Sequence, residues 1–241
     1  MIRQYTMWVK PEKDEIIRPE WAYRLYAAML AEASKEFQKY VHQPERGTPV
    51  SQFLSRRGER ILWTVNLLGD LASQELGQVM EEKRCYEMDG GQTFQMELQS
   101  FRKIEDFEEL MQPEKQKHRL EFCTVTAFKS QGRYVNIPTV PLVMKSLIRQ
   151  WNACFTDGWI EDEDGCGIDE MISHIECTHY RLQDHYYHIK RNTIRGFAGY
   201  MELENENQGF HRELSNALFA FSEYAGVGIK TALGMGGIKY R

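Results

Sequence analysis

The order in which apolar spacing switches along the chain restricts its fold most, because strands alternate inside and outside at every second residue while helices return about every 3.6. Gln4-Tyr5-Thr6-Met7-Trp8-Val9 is strand-forming, and Pro19 then opens a long helical pattern in which Trp21, Leu25, Ala28, Met29, Glu32, Phe37 and Tyr40 keep helical spacing. After Gly47 and Pro49, strand-like runs at 50–55 and 60–67 flank the polar turn Arg56-Arg57-Gly58-Glu59 and predict a hairpin. Residues 69–82 read as a second helix with Leu71, Leu76 and Val79 inward, and 86–103 as a final strand or a hairpin turning at Asp89-Gly90-Gly91. The acidic stretch from Glu105 to Lys117, broken by Pro113, reads as a linker, and the order then restarts. A strand at 120–128 precedes a helix led by Pro138-Thr139-Val140-Pro141 and carrying Leu142, Leu147, Ile148 and Trp151. Paired strands at 174–187 and 195–202, a helix at 211–224 and a short strand at 238–240 complete it. A β-α-β-β-α-β order met twice predicts an α+β protein of two tandem ferredoxin-like domains, residues 1–115 and 116–241. A chain of 241 residues has room for two such small cores.

With 42% hydrophobic residues there is enough apolar material for those cores. No apolar run approaches the roughly 18 residues that span a bilayer, and Met1-Ile2-Arg3-Gln4-Tyr5 leads into no signal-like segment, so a cytoplasmic protein without a membrane contact is expected. The five cysteines are odd in number, scattered, and never in C-x-x-C spacing, which predicts free thiols rather than a zinc or redox site. A formal charge of -5 excludes coating nucleic acid by bulk charge, since such affinity comes from neutralising many phosphates; an RNA-binding role would need a local patch. The run from Tyr180 to Arg195 offers one by interleaving tyrosines with Arg181, Lys190, Arg191 and Arg195. Its blander reading is a strand pair with a wet face. His174, His179, His185 and His188 fall in the same region, but strand alternation would scatter them over two faces, so neither a metal site nor a cofactor is expected.

The segment from Gly226 to Gly237 holds five glycines in twelve positions directly after a helix. Gly226, Gly228, Gly234 and Gly236 would let the backbone take positive φ and bring peptide N–H groups close to phosphates, with Lys230 and Thr231 as polar partners. The plain alternative is a helix cap followed by turn glycines. Neither G-x-x-x-x-G-K-[ST] nor G-x-G-x-x-G fits the spacing.

The run Phe221-Ser-Glu-Tyr224-Ala-Gly226-Val-Gly228-Ile-Lys230-Thr231-Ala-Leu-Gly234-Met-Gly236-Gly237 closely resembles the terminal signature of CRISPR-associated repeat-processing endoribonucleases. Leu120 to Phe128, Pro138 to Asn152, and Arg195-Gly196-Phe197-Ala198-Gly199-Tyr200 occur in the order that family shows, while the first half resembles it only loosely. The resemblance implies two ferredoxin-like domains and metal-independent cleavage of CRISPR repeat precursor RNA. In that reaction the ribose 2′-OH attacks the adjacent phosphate and leaves 2′,3′-cyclic phosphate and 5′-OH ends. It also implies a catalytic histidine after the first helix, which is His42, and a tyrosine from that helix, Tyr26 with Tyr23 as alternate. Imidazole suits the task because its ordinary pKa, about 6.5, lets it take or give a proton near neutral pH. The family's lysine after the histidine has no match before Lys83, which leaves Arg46, Arg56, Arg57 or Lys230 to stabilise charge on the phosphate. The partner implied is repeat RNA, with other effector-complex subunits open, and the protein a monomer or homodimer. A rival reading is a non-catalytic RNA-binding subunit of such a complex; another is a ferredoxin-like pair that binds metabolites or proteins.

Overall fold

In the computed structural model, residues 1–12, 16–43, 47–88, 91–155 and 158–241 are described. β1 (Ile2–Pro11) leads through a 3-10 turn (Pro19–Trp21) into α1 (Ala22–Leu30) and α2 (Lys35–Tyr40), then β2 (Val50–Arg57), β3 (Arg60–Leu68), α3 (Asp70–Glu82), β4 (Cys85–Met88) and β5 (Gln92–Ile104). The sheet order is β2-β3-β1-β5-β4, with every neighbouring pair antiparallel. Without the added edge strand β4, this is the ferredoxin-like order. The second sheet uses β6 (Lys117–Thr126), β9 (Ile175–Ile189), β10 (Asn192–Asn205) and β11 (Ile238–Tyr240) in the order β11-β6-β10-β9. α4 (Val140–Cys154) and α6 (Gly209–Ala225) are its two helices; a small hairpin of β7 (Phe128–Ser130) and β8 (Arg133–Val135) and a short α5 (Cys166–Ser173) are inserted. The fold is two tandem ferredoxin-like units, as the spacing predicts.

Three local expectations are corrected. The long helix from Pro19 splits, because Ser34 caps α2 by accepting from the Phe37 N–H at 3.1 Å while Glu75 of α3 accepts from the Ser34 N–H and hydroxyl, each at 2.9 Å. α3 turns Ala72, Leu76 and Met80 inward and leaves Leu71 42% exposed, so its buried stripe is rotated from the predicted one. The strand from Leu120 ends at Thr126, and the hairpin that follows has three-residue strands, too short for alternation to register. The predicted turn at Asp89-Gly90 lies outside the described residues. The acidic link forms a 3-10 turn (Phe107–Leu110) closed by an Asp106–Glu109 capping box, and its Leu110 is buried with the second unit's core.

Each unit has its own core. Trp63, Leu25, Met29, Phe37, Leu76 and Phe94 fill the first; Phe122, Leu147, Trp151, Phe219 and Phe221 fill the second. A third, smaller cluster of Ala127, Tyr187, Ile189, Ile194 and Met235 lies where the helix-free face of the second sheet meets the first unit. There the Tyr187 hydroxyl lies 3.2 Å from the Pro19 carbonyl and donates to the Leu233 carbonyl at 2.8 Å. Among the described residues no helix is long and apolar enough to cross a membrane, no group of three His, Cys, Asp or Glu side chains could hold a metal ion, and all five cysteines are unpaired.

Candidate nucleic-acid interface

α6 ends at Gly226, where φ of 68° turns the chain back, and the tail closes on itself through the Val227 N–H bond to the Gly236 carbonyl at 2.9 Å. The second unit holds it from three sides: Ile229 N–H to the Ala127 carbonyl at 3.0 Å, Gly237 N–H to the Thr124 hydroxyl at 2.9 Å, and Gly228 N–H to the Ser146 hydroxyl at 2.9 Å. The first unit holds it through Gln52, buried in β2, which accepts from the Trp63 indole at 2.7 Å and donates to the carbonyls of Ala22 at 2.9 Å and Ala232 at 2.8 Å. The glycines follow from this confinement. A Cβ on Gly228, at φ +90°, would stand 2.3 Å from the Ala127 carbonyl; one on Gly234 would stand 2.4 Å from the Tyr187 hydroxyl.

This changes what the tail can offer a phosphate. Gly226, Gly228, Gly234 and Gly236 are buried, and the Gly228 N–H is already taken by Ser146, so the glycines act first by letting the tail pass between the units. Lys230 is the exposed residue of the turn, held in the left-handed region at φ 58°. Together with Thr231, Ser146, Arg149, Gln150 and Thr48 it frames a polar cleft of about 130 Å³. Gln150 ties that cleft to the first unit, accepting from the Thr48 N–H at 3.2 Å and donating to the Thr48 carbonyl. His42 is exposed in the turn that follows α2, its N–H bonded to the Lys39 carbonyl at 3.2 Å, and the chain leaving it reaches the cleft at Thr48.

The other candidates divide. Tyr26 is 6% exposed in the first core, and burial pushes its hydroxyl up to about 12. The cause is its place on the inward stripe of α1 with Ala22, Leu25 and Met29, so it cannot meet a substrate at the surface. Tyr23 is half-buried and lines a second cleft of about 300 Å³ with Arg18, Trp21, Arg24, His188 and Lys190, where the Arg24 guanidinium lies 5.0 Å from the Trp21 ring. Lys190 and Arg191 form the exposed tip of the β9–β10 hairpin. Arg181 pairs with Tyr200, whereas Arg195 pairs with Tyr186 on the opposite face and donates to Asp184 at 2.7 Å, so the basic run is not one patch. Arg56 and Arg57 are exposed at the far end of β2, about 17 Å along the strand from Ser51 beside the tail at about 3.3 Å per residue. Arg46 lies outside the described residues. Sequence reasoning missed Arg149 and Ser146; their signal was a polar stripe at 146, 149 and 150 on a helix whose apolar stripe was already recognised.

Tandem ferredoxin-like units closed by a glycine-rich segment passing between them define a class of two-unit proteins whose C-terminal loop completes the junction. Residues 120–238 match the sequence model of the family described as CRISPR-associated endoribonuclease Cas6. The Cas6 endoribonuclease of Streptococcus thermophilus is 27% identical over 222 residues, 90% of each chain. That of Mycobacterium tuberculosis is 33% identical over 127 residues, covering 53% of this chain and 40% of that one. The structure of a Thermus thermophilus Cas6 product complex matches with a TM-score of 0.81 over 100% of both chains at 21% identity. The likeness to the CRISPR-associated endoribonuclease Cas6 family is thus carried by the second unit in sequence and by the whole chain in fold.

Proposed function

We propose that the protein is an RNA endonuclease that cleaves CRISPR repeat transcripts at the junction of its two units, without a metal. The observation that supports this reading is the cleft framed by Lys230 and Arg149 at the junction, pinned to the first unit by the Gln150–Thr48 bonds; His42 precedes Thr48 in the chain. The names of its relatives, CRISPR-associated endoribonucleases, agree with it.

His42 takes the proton of the 2′-OH, the 2′ oxygen attacks the neighbouring phosphorus, and the bond to the 5′ oxygen breaks as that oxygen gains a proton from water, the imidazolium afterwards returning its own proton to solvent. The products are a 2′,3′-cyclic phosphate and a 5′-OH. Lys230 and Arg149 face the charge that grows on the phosphate oxygens; Tyr23 takes the tyrosine role that burial denies Tyr26. The RNA is the partner this chemistry requires. Incubation with a CRISPR repeat RNA in excess EDTA should give one cut with a cyclic phosphate end, and His42→Ala should abolish the cut while leaving affinity within about two-fold. Unchanged cutting by the variant sinks the assignment of His42; binding by the wild type without any cut moves the reading to a non-catalytic RNA-binding subunit.

A further inference from the structure

A cleft of about 570 Å³ lies away from the junction, between the segment from Asn136 to Val140 and the edge strand β9. Cross-strand register places Tyr180, Leu182, Asp184, Tyr186 and His188 on one face of β9, opposite Met201, Gly199, Phe197, Arg195 and Thr193. Phe197 and Met201 are buried beneath the helices and form the floor. Tyr180 is 65% exposed and Ile137 66%, leaving an aromatic and an aliphatic face open at the rim of one cleft. Its polar wall is built: Asp184 accepts from the Arg195 guanidinium at 2.7 Å and from the Asn136 amide at 3.2 Å. Each carboxylate oxygen keeps a second lone pair, and the guanidinium keeps further N–H donors.

A flat aromatic face beside paired acceptors and donors is the chemistry that holds a nucleobase, by stacking on one side and by its hydrogen-bonding edge on the other. Along the same strand, Tyr186 is exposed, and His188 opens into the second cleft, where the cations Arg18, Arg24 and Lys190 outnumber the single carboxylate, Glu20. From Tyr180 to His188 is about 27 Å at about 3.4 Å per residue, room for several nucleotides whose phosphates would end at those cations. We propose that β9 carries a single-stranded stretch of the RNA, with one guanine seated against Tyr180 and its N1–H and N2–H groups donating to Asp184. Arg195 and Asn136 hold that carboxylate in place, and Arg195 donates to the guanine O6. The inference rests on the RNA-processing reading and adds a base-reading site that the cleavage step does not use.

The test is fluorescence anisotropy of the whole protein with two labelled single strands, a decamer of uridines and the same decamer with one central guanine. The wild type should prefer the guanine strand. Tyr180→Ala should weaken binding of that strand about ten-fold, with Tyr180→Phe restoring it, since stacking needs the ring and not the hydroxyl. Asp184→Asn should remove the preference between the two strands. A Tyr180→Ala protein that binds the guanine strand like the wild type, or an Asp184→Asn protein that keeps the preference, overturns the proposal. Repeat-RNA cleavage in EDTA, run in parallel, separates the two readings: cutting with no guanine preference refutes this site alone, whereas a wild type that neither cuts nor binds either strand refutes both.

Discussion

At the scale of single residues, environment decides which side chains can do chemistry. His118 of β6 is buried, with its ring 4.6 Å from that of Phe219 and its Nδ1 2.8 Å from the Tyr240 hydroxyl. Burial first, and the nearby Lys115 cation second, pull its pKa down to about 4. The unfolded chain, with an ordinary imidazole near 6.5, therefore binds a proton over a range where the folded chain does not. Stability from this group is complete above about pH 7 and is lost as pH falls from about 6.5 towards 4. Unfolding free energies from urea titrations at pH 7 and pH 4.5 should differ by less in His118→Phe than in the wild type, by about 2 kcal/mol; equal differences would show that His118 does not titrate in this way. At the junction, Lys230→Ala and Arg149→Ala should each weaken RNA binding and lower the salt slope of log K by about 1, read from titrations at several salt concentrations, and a wild-type slope would remove that residue from the phosphate contacts. Lys230 could be singled out from the chain alone because it sits inside a glycine cluster. Arg149 is passed over, because its polar stripe with Ser146 and Gln150 reads as solvated surface until the tail is seen lying against it. Tyr26 misleads for the converse reason: a tyrosine one position past Leu25 shares the buried stripe, and only the helix's rotation tells it from Tyr23.

At the scale of elements, the order of strands and helices was legible wherever alternation persisted over several residues, as in β3, α4 and the β9–β10 pair. It was not legible where tertiary bonds overrode local preference. The helix formers between Leu30 and Ser34 give no sign of the break that Glu75 enforces from α3. The glycine-rich tail was recognised as a unit, but its main use was not, because nothing in the chain says that its two flanks would be occupied by Ala127 and Tyr187. Gly228→Ala should therefore lower stability by about 2–4 kcal/mol, from strained φ and the clash with the Ala127 carbonyl together. Thermal melts would measure it, and a variant within about 0.5 kcal/mol of the wild type would mean that the tail has slack this packing does not show.

At the scale of the whole molecule, the two units meet through shared parts rather than a flat contact. Gln150 of the second grips Thr48 of the first, beyond His42, so the histidine is carried by one unit and its chain is fastened to the other. Gln150→Ala should leave each core intact, lower the cleavage rate about ten-fold and change RNA affinity less; single-turnover rates beside binding constants would separate the two, and a wild-type rate would free the site from that pin.

The tail also lends Ala232 to the core of the first unit, where Gln52 waits for its carbonyl. That core, made from residues translated early, is finished only by a residue translated late. During synthesis the first unit leaves the ribosome with one wall open, and a chain broken off before Gly226 keeps it open. Such a fragment would hold His42 without the tail's share of the polar cleft, so an incomplete copy would have an unfinished junction and be exposed to proteolysis.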